Sequence, residues 1–172
     1  MFVTAKTVIK TYGRLSKVAE DIEKIIKDAA LGSFGSTQPA ICQAEKILDL
    51  IEKKNLLVNL KLIARKALKA LTEEEFDILA SRYGRSKKEL YLSRRTYFRR
   101  VRNALRAFSR ELAARGITRE VFENDYAGKV HFLQVERQLV LNEEKACNLR
   151  ISTLKLSRAA CRGGSLKTIK AT

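Results

Sequence analysis

Ser93-Arg94-Arg95-Thr96-Tyr97-Phe98-Arg99-Arg100-Val101-Arg102-Asn103-Ala104-Leu105-Arg106-Ala107-Phe108-Ser109-Arg110-Glu111-Leu112 is the stretch on which the fold turns. It holds no Gly or Pro, opens on a serine suited to capping a helix and runs on to Gly116, so it predicts one long α-helix. At about 100° per residue, Tyr97, Val101, Ala104, Leu105, Phe108 and Leu112 share one face. Arg95, Arg99, Arg102, Arg106 and Arg110 fall in one arc on the opposite side. The apolar face has to pack on other helices. The arginine arc needs an external anion, because arginines without interleaved acids repel one another on a bare helix.

Upstream, Thr72-Glu73-Glu74-Glu75 is a capping box: the threonine oxygen accepts from the third helical amide and Glu75 reaches back. The helix it starts carries Phe76, Leu79 and Tyr83 on one side and stops at Gly84. Ser86-Lys87-Lys88-Glu89-Leu90 has room for one or two turns before Ser93. Closer to the amino terminus, apolar residues recur at helical spacing from Val8 to Ala29, with a break signalled at Gly13. Gly32 to Pro39 collects turn formers and reads as a loop. From Ala40 to Leu71 the stripe continues as one long helix or as two helices bent near Asn55, and an antiparallel pair with the first helix buries both stripes. Downstream, Thr118 caps a short helix, and Phe132, Val135, Leu139, Asn142, Ala146 and Leu149 mark a further helix to about Arg150, expected to pack on the long basic one.

The expected fold class is therefore all-α, a helical bundle carrying a helix-turn-helix with a long basic recognition helix. At 172 residues, 45% hydrophobic and 31% charged, the chain has material for a sizeable core, and bulk disorder is excluded. The reading divides it into a packing or partner-binding region at 1–70, a helix-turn-helix at 71–116, C-terminal helices at 117–151 and a basic, loosely ordered tail at 152–172. Charge is unevenly spread: residues 1–80 hold 13 basic and 11 acidic side chains, residues 81–172 hold 22 and 8. An excess so placed favours a polyanionic partner, with nucleic acid first and an anionic membrane surface second. The apolar face of the long helix is needed for packing, which disfavours the membrane surface.

Leu71-Thr72-Glu73-Glu74-Glu75-Phe76-Asp77-Ile78-Leu79-Ala80-Ser81-Arg82-Tyr83-Gly84 resembles the opening of sigma-factor region 4. Leu92-Ser93-Arg94-Arg95-Thr96-Tyr97-Phe98-Arg99-Arg100-Val101-Arg102-Asn103-Ala104-Leu105 resembles the recognition helix of phage-type late-transcription regulators that share that fold. The resemblance covers about residues 71–112. It implies that Ser93, Arg94, Arg95, Thr96, Tyr97, Arg99 and Arg100 sit where those proteins meet bases and phosphates, and it implies contact with RNA polymerase. In those families a full supporting helix separates the two segments, whereas here Arg85 to Leu92 leaves eight residues.

The expected activity is sequence-specific binding of double-stranded DNA in transcription regulation. Phosphates would be held by Arg99, Arg102, Arg106, Lys87 and Lys88, and bases probed by Arg94, Arg95 and Thr96. The competing class is a non-enzymatic helical adaptor whose basic face binds RNA, RNA polymerase or an acidic protein; residues 1–70 offer a route to homo-oligomers in either case. No enzyme is expected, for want of a nucleophile–base pair. His131 is the single histidine and Cys42, Cys147 and Cys161 show no paired spacing, so neither metal nor cofactor is expected. Odd cysteines, the lack of a signal-like start and the lack of an apolar span point to the cytoplasm and away from the membrane.

Overall fold

Helix α1, Phe2–Thr11, buries Thr4, Ala5, Thr7, Val8, Ile9 and Thr11, which leaves it enclosed on most sides by its neighbours. Buried hydroxyls need acceptors, and α1 supplies them from its own backbone. Thr7 Oγ1 donates to the Val3 carbonyl at 2.8 Å and Thr11 Oγ1 to the Thr7 carbonyl at 2.9 Å. The computed structural model describes residues 2–32, 39–83 and 92–162, with side chains placed through residue 146. All of its regular elements are helical.

A turn at Gly13, in which the Arg14 amide donates to the Thr11 carbonyl, leads into α2, Leu15–Gly32. Helix α3 runs unbroken from Ala40 through Asn55 to Lys69, and so spans about 45 Å. It is antiparallel to α2: Lys54 donates to Glu23 at 3.0 Å, and Lys61, farther along α3, meets Ser16, nearer the start of α2. Only the open end of this hairpin, away from Gly32 and Ala40, enters the core, through Leu15 and Ala19 of α2 and Leu57, Leu60, Ala64, Ala67 and Leu68 of α3. The remainder extends outward as a two-helix arm.

Helix α4, Glu73–Arg82, has the capping box read from sequence: the Glu75 amide donates to Thr72 Oγ1 at 3.4 Å and the Thr72 amide to Glu75 Oε2 at 3.2 Å. Its buried face is Ile78, Leu79 and Ala80, and Phe76, expected on that face, is exposed. Helix α5, Arg94–Ala114, is the expected long basic helix. It ends at Gly116, whose φ of +87° lies in the left-handed region. The Ile117 amide reaches the Leu112 carbonyl at 2.9 Å and the Gly116 amide the Ala113 carbonyl at 3.0 Å, the double bond pattern of a glycine-terminated helix.

Thr118 caps α6, Arg119–Val121, which passes directly into a π-helical turn over Phe122–Ala127 that the sequence did not announce. Phe122 and Tyr126 stack within it, with centroids 6.2 Å apart. Helix α7, His131–Arg162, follows. Three expectations change here. The buried residues of α7 include Leu133 and Val140, while Val135 and Leu139 are exposed, so the core-facing stripe is offset from the one expected. The helix packs on α1 and the π turn rather than chiefly on α5. Backbone assigned to a loose tail from 152 is helical to 162. Lys6–Glu144 and Lys10–Glu143 pairs fasten α1 to α7, and Arg14 of the following turn pairs with Glu136 with its guanidinium 4.9 Å from the Phe132 ring centroid. One hydrophobic cluster joins residues of α1 through α5, the π turn and the start of α7.

Two predictions test this packing. At Gly128 an added Cβ would stand 2.7 Å from the Asn124 carbonyl oxygen, so Gly128→Ala is expected to destabilise by about 1–3 kcal/mol, read as a lowered melting temperature. Gly13→Ala, which meets open space, should leave that temperature unlowered. Glu123 accepts from Arg137 at 2.6 Å and Arg119 at 3.0 Å, which hold its carboxyl below the ordinary value of 4.5. Its stabilising contribution is present above that value and is lost as the pH falls through the lower, folded one. Denaturant titrations should therefore show the advantage of wild type over Glu123→Gln constant near neutrality and shrinking in acid.

Candidate nucleic-acid interface

The amino-terminal end of α5 is fixed by its cap. The Thr96 amide donates to Ser93 Oγ at 3.3 Å, and Ser93 Oγ donates to Thr96 Oγ1 at 2.9 Å. Both hydroxyls expected to meet DNA are thus engaged with each other, Ser93 exposed and Thr96 half-buried. Tyr97 is half-buried against the core, so its place is in packing more than on the outer face. Farther along, Ala107, Phe108, Ser109 and Leu112 are buried, which grips the carboxyl-terminal half of the helix on both flanks. Ala107 and Ser109 are small enough for neighbours to come close there.

Arg95, Arg99, Arg102, Arg106 and Arg110 are exposed, as the face arithmetic requires, and Arg94, which the same arithmetic sets on the apolar side, is exposed in the first turn of the helix. Among the described residues none of these six has a carboxylate within ion-pair distance. Arg100 differs: it pairs with Glu74 of α4 at 3.3 Å, so its charge is partly answered within the chain. Glu111, the acid of α5, is held by Arg115. Arg106 packs its guanidinium 5.8 Å from the Phe2 ring centroid of α1, which steadies the far end of the stripe. From Arg95 to Arg106 the charged face extends about 17 Å along the axis. Lys87 and Lys88 lie outside the described residues.

Two residues join the face that the sequence reading passed over. Phe98 is 48% exposed and stands at the margin of the arginine arc, with the Tyr97 ring 5.5 Å away edge-on. Arg82, from the last turn of α4, lies with its guanidinium 5.9 Å from the Phe98 ring centroid. The same face arithmetic puts Phe98 between Leu105 and Arg102, a signal available in the sequence but masked by the habit of assigning phenylalanine to the core. Arg82 became legible only through the packing of α4 on α5. Glu74 and Arg82 meet α5 at Arg100 and Phe98, two neighbours on different flanks, so α4 lies across α5 rather than along it.

The face can hold anions by charge-assisted hydrogen bonds and can present an apolar ring beside them. Among the described residues no group of three His, Cys, Asp or Glu converges, and no helix is long and apolar enough to cross a membrane. Cys42 is a free, exposed thiol on α3. No protein-family model, curated protein or solved structure matches the chain.

Because the Arg100–Glu74 pair is exposed, it contributes at most about 1 kcal/mol. Glu74→Gln should leave the melting temperature nearly unchanged while releasing one more arginine, so the variant is expected to elute from immobilised heparin at higher salt than wild type.

Proposed function

We propose that this protein is a sequence-specific double-stranded DNA-binding regulator of transcription, with α5 as its reading helix. The observation that carries the proposal is the exposed arginine face of α5, unanswered by carboxylates among the described residues and gripped at its other end by the core. A helix of about 10–12 Å diameter fits the major groove, and arginine matches both phosphate oxygens and the guanine edge. Arg94 and Arg95, at the amino-terminal end, are the base-probing residues; Arg99, Arg102 and Arg106 hold phosphates. Phe98 is placed to meet a thymine methyl group. Thr96 contributes through the cap it completes with Ser93, which sets the direction of the helix end. The crossing of α4 on α5 and the resemblance of residues 71–112 to sigma-factor region 4 support a helix-turn-helix that works beside RNA polymerase. Such work belongs in the cytoplasm.

Selection from a pool of random duplexes at near-physiological salt is expected to enrich a motif. Arg95→Ala should relax preference at one base position, at a cost of about 1–3 kcal/mol on the selected site. Arg106→Ala should weaken all duplexes alike and lower the salt slope by about one unit. Binding without enrichment would reduce α5 to a phosphate-holding surface. No binding to any duplex would overturn the proposal and turn the search to RNA and acidic proteins.

A further inference from the structure

Helix α7 changes sign where it leaves the body. Its acids, Glu136, Glu143 and Glu144, are the ones that meet Arg14, Lys10 and Lys6. After Glu144 the chain holds no acid, and the helix continues through Arg150, Lys155, Arg158 and Arg162. Lys155, Arg158 and Arg162 stand three and four residues apart, the spacing at which like charges on a helix repel. A helix that only meets water relieves that cost with interleaved acids. This one, like α5, calls for an external anion.

The course of the helix says where that anion lies. Arg14 meets Glu136 and Lys6 meets Glu144, so α7 runs antiparallel to the α1 strip beside it. It draws level with Phe2, one turn before Lys6, near Asn148. Phe2 lies against Arg106 of the arginine stripe, whereas Val8, Ile9 and Thr11 at the other end of α1 are buried, so α1 points from the core toward the arginine side of α5. Helix α7 follows that direction and overshoots it, running on for about 21 Å from Asn148 to Arg162. The end of α4 fixes the near side of this overhang. Burial holds the Tyr83 hydroxyl above its ordinary value against the pull of Arg82, and Glu143, Tyr97 and Glu144 act with burial, which sets Tyr83 between α7 and the first turns of α5. The overhang therefore begins near Tyr97 and passes the arginine face.

We propose that residues 149–162 of α7 are a second holding element for the duplex that α5 reads, gripping its phosphate backbone to one side of the reading site and adding no base preference. The inference rests on the DNA reading of α5 and extends it. From Arg150 to Arg162 the overhang spans about 18 Å, and a strand of B-DNA sets one phosphate about every 3.4 Å along its axis, so several phosphates come within reach. The division of labour follows from the charges: α5 meets both base edges and phosphates, while the overhang supplies a row of cations that lengthens the footprint.

Anisotropy titrations of the full chain over a range of salt, on a long duplex and on one trimmed to the enriched motif, test it together with a hydroxyl-radical footprint. The triple variant Lys155→Gln, Arg158→Gln, Arg162→Gln is expected to keep the enriched motif, to lose about tenfold or more in affinity for the long duplex and to lower its salt slope by about 2–3 units. On the trimmed duplex wild type and variant should bind alike, and the variant's footprint on the long duplex should shorten on one side. Lys17→Gln, Lys24→Gln, Lys27→Gln removes the same charge from exposed positions of α2 and should leave slope and footprint unchanged. A wild type that binds the long duplex with a slope and footprint indifferent to the α7 changes overturns this inference and leaves the DNA reading standing. An equal loss from the α2 changes would make the effect one of net charge and overturns it likewise. A wild type that binds no duplex overturns the DNA reading, and this inference with it.

Discussion

Helix α5 has to bury one apolar face without burying any arginine, and the rest of the bundle is arranged around that requirement. A buried guanidinium without a partner is far more costly than an exposed one, so neighbours can approach α5 only from the side of Val101, Ala104, Leu105, Phe108 and Leu112. Helices α1, α3 and α4 do so. At the carboxyl-terminal half, small Ala107 and Ser109 let the contact widen onto the flanks; at the amino-terminal half α4 meets the helix and, among the described residues, Arg94, Arg95, Phe98 and Arg99 stay exposed. The outcome is a helix held firmly at one end and presented at the other.

The same logic governs the acids. A net charge of +16 does not by itself make a binding face, because carboxylates could still gather near the arginines. Glu74 does so at Arg100, but other acids are occupied elsewhere: Glu143 and Glu144 of α7 serve α1, Glu136 serves Arg14, Glu123 is shared by Arg119 and Arg137, and Glu111 belongs to Arg115. These pairs are worth little each in stability at a water-exposed surface. Their larger effect is on the field, since carboxylates held elsewhere do not offset the positive potential over α5.

Much of this was legible in the sequence because its signals are local. The Thr72 and Ser93 caps, the Gly116 stop and the two faces of α5 follow from residue type and helical period alone, and the caps and the glycine stop stand in the structure where the residues put them. What failed was non-local. The stripe read along α7 was offset because that helix packs on α1, and helical period cannot say which neighbour a helix will find. The π turn at Phe122–Ala127 depends on the close approach of Gly128 to Asn124, which no spacing rule anticipates. Phe98 and Arg82 come together only when α4 crosses α5.

The account rests on α5 meeting DNA with its arginines. The most direct measurement is a duplex titration of the labelled protein followed by NMR at the arginine side-chain Nε–Hε signals. Shifts concentrated at Arg94, Arg95, Arg99 and Arg102, with Arg115, Arg119 and Arg137 unmoved, are the predicted result. Shifts spread evenly over all the arginines, or confined to those outside α5, would contradict it.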